Sequence, residues 1–446
     1  MGFGDSITEG ADYFTSYIFP LWEKLMSAGY EFDFIGPRET KCRIGTLKCG
    51  GYSGHTVEFL DSKVDSLYRL YPADIVLLHA GHNHSVEENP VPHMIASYRS
   101  IIEKIWKINP QAFVLLAKVI PSGKLPKYSY IPELNKQIER LVKEVHSDHL
   151  ICVDQAAGFD WKTETVKDKV HPNAKGAEKM AFVWFSSLQK VLKPVPNSFH
   201  PEIIKYKDLP GNDSLSIHLF RPAGNAGDGK NPAIVYFFGG GWTNGTPLQF
   251  YRECAYFASK GYVAISADYR IRSLYHSSIF DSFEDAKDVI RFIRSHAGKL
   301  RIDADRIAVA GASAGGHLAA SLGTIGTTDS LKADYLPNLM LLYYPVVDVR
   351  PERFPALLSP DSAKAISPLF HVSRNTPPAL FLLGTEDPIV PVGTAKAFQE
   401  KMLRKDVPCE LDLFEGAGHP IFQYRKPLTK EYGEILDLSE GWLERL

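Results

Sequence analysis

The sequence predicts an α/β protein of two domains, each a mostly parallel β-sheet between two layers of helices. The chain has 446 residues, and roughly 150 residues per domain predicts two or three domains. In both halves, short apolar runs typical of buried parallel strands alternate with runs of helical periodicity. A proline-rich stretch, which cannot continue a helix, separates the halves.

The first half alternates strand-like and helix-like runs. Continuous apolar runs predict buried strands at residues 74–80, 112–120 and 150–153. Apolar residues at helical spacing predict helices at residues 95–108, 132–145 and 174–192. This alternation indicates a parallel sheet with helical crossovers.

The second half repeats this alternation without repeating the sequence. Strands are expected at residues 214–220, 233–238, 262–267, 306–310, 340–344, 379–383 and 410–414, with helices between most of them, for example at 282–296. The prolines between Lys193 and Pro201 mark the boundary. We therefore expect a first domain at residues 1–194, a linker at 195–200 and a second domain at 201–446.

Composition excludes several classes of protein. Fifty basic against 52 acidic residues leave a formal net charge of −2, which argues against a nucleic-acid binder and gives no support for a polybasic membrane anchor. No apolar run approaches the roughly 20 residues of a bilayer span. Oligomeric state is not readable from these features.

Five cysteines in a chain of this length do not form a disulfide scaffold. Cys42 and Cys49 are close enough in sequence to pair if the protein is exported. We expect the remaining three, Cys152, Cys254 and Cys409, to be buried free thiols because their surroundings are apolar.

The start of the chain carries a motif almost at once. No charged region followed by an apolar region precedes it, so no signal peptide is visible. Only Met1, Gly2 and Phe3 come before Gly4. We expect either a stub as the first strand or residues absent upstream, which leaves the compartment undetermined, with secretion or a periplasmic location still open.

A nucleophile motif lies in the second half. Gly311-Ala312-Ser313-Ala314-Gly315 matches G-x-S-x-G, between a predicted strand and an apolar helical run. That context predicts a tight strand-to-helix turn that presents the Ser313 hydroxyl at the top of the sheet.

Glycines upstream of this motif predict an oxyanion hole. Phe238 is followed by three glycines at the end of a strand, where backbone N–H groups can approach a developing oxyanion. The expected donors are the amides of Gly240, Gly241 and Ala314.

Two further residues complete a candidate catalytic triad. Asp387 and His419 each follow a predicted strand, and the order Ser313, Asp387, His419 is that of α/β-hydrolases. A histidine suits the role because its ordinary pKa of about 6.5 lets it take and return a proton near neutral pH. Glu386 is a rival to Asp387 as the acid.

These residues, with Ala267-Asp268-Tyr269-Arg270 and the segment 303–307, resemble the α/β-hydrolase esterases, near the hormone-sensitive-lipase-like and bacterial feruloyl and acetylxylan esterase groups. The resemblance covers about residues 201–446 and implies an α/β-hydrolase sheet. The family usually has histidine before the three glycines, where this chain has Phe238. We expect that the glycine loop is anchored differently from that of the family and that the ester hydrolysis is retained.

The first half carries four blocks that suggest a second serine site. The heptad Gly4-Asp5-Ser6-Ile7-Thr8-Glu9-Gly10 taken alone fits a helix N-cap. Later come Gly54 within a glycine- and serine-containing loop, Asn83 directly after a buried strand, and Asp168 three residues before His171.

In this order the four blocks resemble the SGNH/GDSL hydrolases, including their carbohydrate acetylesterases, over about residues 1–192. The resemblance implies an SGNH-type parallel sheet, with Ser6 as nucleophile, His171 as base and Asp168 as its orienting acid. It also implies an oxyanion hole formed by the Ser6 and Gly54 N–H groups and the Asn83 amide. The chain departs from the family at His84, where aspartate is usual.

Two other patterns favour structural over functional interpretations. His79, His82 and His84 have neither a nearby acidic run nor a cysteine to complete a metal site, so we expect ordinary core and loop histidines and no metal. The aromatic residues near predicted strand ends are interpreted as core rather than as a sugar-binding platform; they are Trp242, Tyr269, Tyr343 and Tyr344.

The sequence therefore predicts a serine esterase with two active sites and no cofactor. The expected substrate is an acylated plant polysaccharide or oligosaccharide such as acetylated xylan, with feruloyl esters a second candidate at Ser313. One alternative is a single-site esterase at Ser313 with a non-catalytic N-terminal docking domain. Others are a lipase or general short-chain carboxylesterase, and, from a different class, a carbohydrate-binding protein with two degenerate sites.

Overall fold

A computed structural model of the protein describes residues 1–193, 199–211, 213–222, 230–350, 358–422 and 430–446. The chain divides into two compact units, Met1–Ser198 and Phe199–Leu446. The predicted linker at 195–200 lies outside the described residues except for its last two. Each unit is built on a mostly parallel sheet with helices, which confirms the predicted fold class.

The first unit contains a six-stranded sheet. Its strands are β1 (Gly2–Gly4), β2 (Arg38–Cys42), β3 (Gly45–Gly51), β4 (Ile75–His79), β5 (Phe113–Lys118) and β6 (Leu150–Asp154). Their order is β2-β3-β1-β4-β5-β6, and only β2 runs antiparallel to its neighbour. The carboxyl ends of the parallel strands therefore meet at one edge.

Helices cover both faces of this sheet. They are α1 (Ser6–Glu9), α2 (Ile18–Ser27), α3 (Val57–Leu70), α4 (Val91–Ile108), α5 (Ile131–Val145), α6 (Trp161–Glu164) and α7 (Ala174–Leu188). One core packs α3, α4 and α5 against the sheet, and the other packs α2 and α7. Neighbouring residues of β4 enter opposite cores, with Leu78 in the first and Leu77 in the second, because successive strand side chains point to opposite faces.

The first strand is a stub of three residues in the middle of the sheet. Phe3 pairs with Gly50 of β3 on one side and with Leu78 of β4 on the other. A Cβ atom on Gly4 would lie 2.0 Å from the His79 carbonyl oxygen, so only glycine allows this close approach. The short strand therefore still brings Ser6 to the carboxyl edge.

The second unit contains an eight-stranded sheet. Its strands are β7 (Glu202–Leu209), β8 (Asp213–Phe220), β9 (Asn231–Phe237), β10 (Val263–Ala267), β11 (Ile302–Ala312), β12 (Leu339–Tyr343), β13 (Ala379–Gly384) and β14 (Cys409–Phe414). The order is β14-β13-β12-β11-β9-β10-β8-β7. In this sheet β8 runs antiparallel to both of its neighbours, β10 and β7. Every residue of β12 and β13 is buried, as expected for strands covered on both faces.

Eight helices accompany these strands in the described part of the second unit. They are α8 (Tyr251–Ser259), α9 (Arg272–Tyr275), α10 (Ile279–Ser295), α11 (Ala297–Leu300), α12 (Ala314–Thr324), α13 (Pro360–Ala365), α14 (Val392–Leu403) and α15 (Lys430–Leu443). Across the described ranges of both units, no helix combines the length and apolar character needed to cross a bilayer.

The β2–β3 hairpin corrects the suggested Cys42–Cys49 disulfide. Cys42 pairs with Gly45, whereas Cys49 pairs with Arg38 at the other end of the hairpin. Four residues of strand separate the two positions, a span of about 14 Å at about 3.4 Å per residue. A disulfide requires Cα atoms closer than about 7 Å, and all five cysteines are free.

Candidate active sites

The strand-to-helix turn between β11 and α12 holds Ser313 in a strained conformation. Its φ of 53° and ψ of −115° lie where few non-glycine residues are found. The flanking glycines allow this turn, because a Cβ atom on Gly315 would lie 2.0 Å from the Phe237 carbonyl oxygen. The turn lifts the Ser313 hydroxyl to the carboxyl edge of the sheet, as the motif predicted.

His419 reaches Ser313 across 106 positions of sequence. Its Nε2 lies 2.8 Å from Ser313 Oγ, and its Nδ1 lies 2.7 Å from Asp387 Oδ2. The other oxygen of Asp387 accepts hydrogen bonds from the N–H groups of Ile389 and Val390. These bonds hold a fully buried carboxylate in place behind the imidazole.

The structure decides between the two candidate acids. Glu386 is exposed to solvent, and its backbone N–H donates to the Ala417 carbonyl. Asp387, one residue further, turns inward to His419. The suggested rival role of Glu386 is therefore wrong for this geometry.

The predicted oxyanion donors of the second unit lie in two turns. Gly240 and Gly241 adopt φ values of 133° and 61°, which glycine tolerates. Ala314 is the first residue of α12, where a helix leaves its N–H without an intrahelical acceptor. Within the described residues, none of these three amides has an intramolecular acceptor, so all three can donate to a ligand.

Phe238 takes over an anchoring role in the glycine loop. Its ring stacks on Tyr269 with centroids 4.1 Å apart, and the Tyr269 hydroxyl donates to the Phe238 carbonyl. Gln249 accepts a hydrogen bond from the Gly239 N–H. The glycine loop is therefore anchored by an aromatic stack and by hydrogen bonds to its backbone, in place of the histidine that is usual in the family.

Trp242 is core rather than a binding platform. It is 4% exposed, and its indole N–H donates to His317 Nδ1. His317 Nε2 must then carry the proton that bonds the Ile366 carbonyl, and burial lowers the pKa of His317 to about 4. The three tyrosines that we also expected in the core are buried as well; they are Tyr269, Tyr343 and Tyr344.

In the first unit, Ser6 begins the short helix α1 directly after β1. Asp5 caps this helix through the Ile7 N–H and also accepts from the Gly81 N–H. The carboxylate of Asp5 is fully buried. The Asp5 carboxylate therefore joins the turn that carries Ser6 to the loop that carries Asn83. The expected helix N-cap accounts for only the first of these two contacts.

His171 and Asp168 meet Ser6 across the unit. Ser6 Oγ lies 2.9 Å from His171 Nε2, and His171 Nδ1 lies 2.6 Å from Asp168 Oδ2. Burial opposes ionisation of Asp168, yet hydrogen bonds from the side chain and backbone of His171 and from Val170 hold its pKa below the ordinary value. Asp168 is therefore charged near neutral pH, as needed to stabilise an imidazolium.

The remaining predicted donors lie on two neighbouring loops. Gly54 is exposed, with a φ of 77° and no atom within 4 Å of a Cβ position. The Asn83 amide donates one of its two hydrogens to the His55 carbonyl at 2.8 Å, which leaves the second hydrogen for a ligand. Ser6 is the first residue of α1, so its N–H has no intrahelical acceptor.

Phe14 is a site residue that sequence reasoning missed. Its ring stacks on the His171 imidazole with centroids 4.1 Å apart. The Thr15 N–H donates to the Pro172 carbonyl and ties this loop to the His171 loop. Phe14 thus restrains the imidazole, and no sequence motif marks it.

The histidines near β4 do not converge. His79 and His82 are buried, which lowers both pKa values, that of His79 to about 4. His84 instead bonds two carboxylates, with Nε2 2.9 Å from Glu58 Oε2 and Nδ1 2.6 Å from Glu88 Oε2. Among the residues that the structure describes, no three His, Cys, Asp or Glu side chains group to hold a metal.

Family models match both units. Residues 3–179 match the GDSL-like Lipase/Acylhydrolase family, and residues 217–341 match the family described as BD-FAE. The two matches fall on the units that carry Ser6 and Ser313.

Solved structures similar to the second unit include those of esterase 2 from Thermogutta terrifontis. The propionate-bound form is 34% identical and covers 55% of this chain and 94% of its own, with a TM-score of 0.50. The form phosphorylated by paraoxon is 35% identical and covers 57% of this chain and 97% of its own, with a TM-score of 0.51.

The curated relatives include esterases. Esterase LipC of Mycobacterium tuberculosis is 30% identical over 42% of this chain and 52% of its own length. Ethyl acetate hydrolase of Pseudomonas putida is 28% identical over 49% of this chain and 76% of its own length. The chain spans about half the length of several curated relatives it matches, LipC among them.

Proposed function

Because the chain belongs, through its second unit, to the α/β-hydrolase esterase family that includes esterase 2 of Thermogutta terrifontis, we propose that it is a carboxylic ester hydrolase with two serine active sites. One observation carries the proposal. In each unit a serine hydroxyl lies within hydrogen-bond distance of an imidazole that is itself bonded to a carboxylate.

Both sites would work through an acyl-serine intermediate. The histidine removes the proton of the serine hydroxyl as its oxygen attacks the ester carbonyl, and then gives that proton to the leaving alcohol. The same histidine next activates a water molecule, which releases the carboxylic acid and restores the serine. The carboxylates of Asp168 and Asp387 stabilise each imidazolium.

Backbone amides would supply the oxyanion stabilisation. At Ser313 these are the N–H groups of Gly240, Gly241 and Ala314, and at Ser6 those of Ser6 and Gly54 with the Asn83 amide. Each donor is worth about 3 kcal/mol when it bonds the tetrahedral oxyanion rather than the ground-state carbonyl.

We propose acetylated plant polysaccharides or oligosaccharides, such as acetylated xylan, as the substrate, with feruloyl esters as a second candidate at Ser313. Joining two esterase types on one chain suits a substrate with several acyl positions. A general short-chain carboxylesterase is a second candidate, favoured by the propionate- and butyrate-bound forms of the Thermogutta enzyme.

The test compares Ser6→Ala, Ser313→Ala and the double variant on acetylated xylan and on a small aryl acetate. Ser186→Ala and Ser295→Ala, at exposed or partly exposed serines away from both triads, are the matched controls. Time-resolved NMR of a defined acetylated oligosaccharide should show that each single variant loses a different subset of deacetylations. The double variant should lose all turnover.

Two results would overturn parts of the proposal. If Ser6→Ala removes no activity on any substrate, the first unit is not catalytic. That result would favour the alternative of a single active site at Ser313 with a non-catalytic N-terminal docking domain. If both single variants hydrolyse the aryl acetate but neither parent nor variant deacetylates the polysaccharide, the short-chain alternative replaces the polysaccharide substrate.

A further inference from the structure

Exposed lysines lie on two segments next to the loop that carries Asp168 and His171. Two segments carry them, one before α5 and one around α6, and we name the set the basic rim. Its members are Lys124, Lys127, Lys162, Lys167 and Lys169, all exposed. Among the residues that the structure describes, none of the five takes part in an ion pair.

The two segments are tied together beside the triad. The Lys169 carbonyl accepts hydrogen bonds from the Ser122 hydroxyl and the Gly123 N–H, both at 2.9 Å. Lys169 itself has a φ of 62° and lies between Asp168 and His171 in the chain. These bonds join the backbone of the two segments beside the loop that carries His171.

A partly buried indole lies between the lysines. The Nζ atoms of Lys162 and Lys169 lie 5.8 Å and 5.9 Å from the centre of the Trp161 ring. Trp161 packs on Gly123, where a Cβ atom would lie 2.3 Å from the ring. Two ammonium groups therefore lie beside this aromatic ring, next to the loop of the triad.

The neighbouring carboxylates do not neutralise the rim. Glu164 is buried and pairs with Lys175 and Lys179, outside the rim. Asp168 is bonded to His171. Asp160 caps α6 through the Lys162 N–H and the Thr163 hydroxyl. Glu88, whose carboxylate feels the charge of Lys127, is bonded to His84. The five ammonium groups of the rim therefore outnumber these neighbouring carboxylates.

We propose that the basic rim binds anionic groups of an acylated polysaccharide and so directs the Ser6 site to esters on acidic glycans. This inference rests on the proposed function. Uronate carboxylates and sulfate esters share the required chemistry. Locally concentrated positive charge attracts such a polymer even though the whole chain has a net charge of −2.

The binding test uses polysaccharides without esters, so it does not depend on turnover. Affinity electrophoresis compares polygalacturonate, dextran sulfate and neutral dextran with the parent protein and the Lys127→Gln/Lys169→Gln double variant. Lys107→Gln/Lys190→Gln is the matched control, since Lys107 is exposed in the last turn of α4 and Lys190 is exposed just after α7, outside the two segments of the rim. A second rim variant, Lys124→Gln/Lys162→Gln, avoids the positive-φ position.

We expect both rim variants to bind at least one anionic polymer about tenfold more weakly at low ionic strength, with the control unchanged and neutral dextran unbound. About 0.5 M NaCl should remove the difference, because it shortens the screening length to a few ångströms. Preference for polygalacturonate assigns uronate, and preference for dextran sulfate assigns sulfate. Equal losses in rim and control variants, binding of neither anionic polymer, or tighter binding of duplex DNA would overturn the proposal.

The catalytic arm separates this inference from the proposed function. In the Ser313→Ala background, the Lys124→Gln/Lys162→Gln variant, whose residues lie outside the loop of the triad, should raise the KM for acetylated polygalacturonate about tenfold and leave the turnover of ethyl acetate unchanged. Absence of all esterase activity in that background would contradict the first active site without touching the binding result. An equal rise in KM for ethyl acetate would contradict the rim.

Discussion

The Nε2 atom of His84 lies 2.9 Å from Oε2 of Glu58, and this contact ties the loop after β4 to the start of helix α3. A second tie runs beside it, from the Asn83 amide to the His55 carbonyl. Gly54 and Asn83, the two proposed oxyanion donors outside the nucleophile turn, lie on these same two segments. The His84–Glu58 contact therefore sets the separation of the donors.

We expect His84→Gln to lower kcat at the Ser6 site about tenfold with little change in KM, because misplaced donors affect the transition state more than the bound ester. The measurement is hydrolysis of a small acetate ester in the Ser313→Ala background. His93→Gln, at an exposed position of α4, should leave kcat unchanged. A change confined to KM would argue that His84 contacts substrate instead.

The same contact predicts a pH-dependent stability. The hydrogen bonds that His84 donates to Glu58 and Glu88 raise the pKa of His84. Although burial opposes ionisation of Glu58, the bond from His84 helps to hold the pKa of Glu58 at about 2. Since the folded pKa of His84 exceeds the unfolded value of about 6.5, the stabilisation is complete below that value and is lost as pH rises through the folded pKa. The Tm difference between the parent and His84→Gln should therefore shrink from pH 6 to pH 9. A difference that stays constant over this range would contradict the ion pairs of His84 with Glu58 and Glu88.

Asp387→Asn should reduce kcat at the Ser313 site by about 10⁴, because a neutral amide neither stabilises the imidazolium nor selects the required tautomer of His419. The Ser6→Ala background isolates this site for a steady-state assay. Glu386→Gln is the matched control at the neighbouring exposed position and should retain activity. Comparable losses in the two variants would return Glu386 to the role of acid.

Gly315→Ala should prevent the nucleophile turn from closing. Its Cβ atom would lie 2.0 Å from the Phe237 carbonyl and 2.4 Å from the Phe238 carbonyl, and backbone atoms cannot yield as a flexible side chain does. We expect a large fall in Tm and loss of Ser313 activity. Gly433→Ala in α15 has open space around it and should stabilise the helix by about 0.5–1 kcal/mol; a tolerated Gly315→Ala would contradict this packing.

Glu253 predicts a second pH-dependent contribution to stability, which falls in the same direction as pH rises. Burial raises its pKa from 4.5 to about 7, against the hydrogen bond from the Tyr432 hydroxyl of α15. Because the folded pKa is the higher one, the second unit is most stable below about pH 4.5 with respect to this group and loses up to about 3 kcal/mol as pH rises through 7. Glu253→Gln should therefore flatten the denaturant stability between pH 5 and 8, while Glu444→Gln should not. An unchanged slope in Glu253→Gln would show that another group titrates.

Local sequence determined most of the sheets and one complete motif. The apolar runs at β4, β5, β12 and β13 are strands because residues buried on both faces must be apolar throughout. The G-x-S-x-G motif around Ser313 requires small neighbours for steric reasons that hold wherever the turn occurs. The hairpin at residues 38–51 escaped prediction because its strands are polar and glycine-rich and carry no clear alternation.

Only the tertiary structure decided which distant side chains touch. Phe14 against His171, Asp387 rather than Glu386 against His419, and the separation of Cys42 from Cys49 all depend on strand register and on loops that the chain's periodicity does not describe. The three-residue strand β1 persists because two neighbouring strands satisfy its backbone groups, which no local pattern can encode. Periodicity is a property of a few neighbouring residues, whereas a triad depends on contacts across more than a hundred.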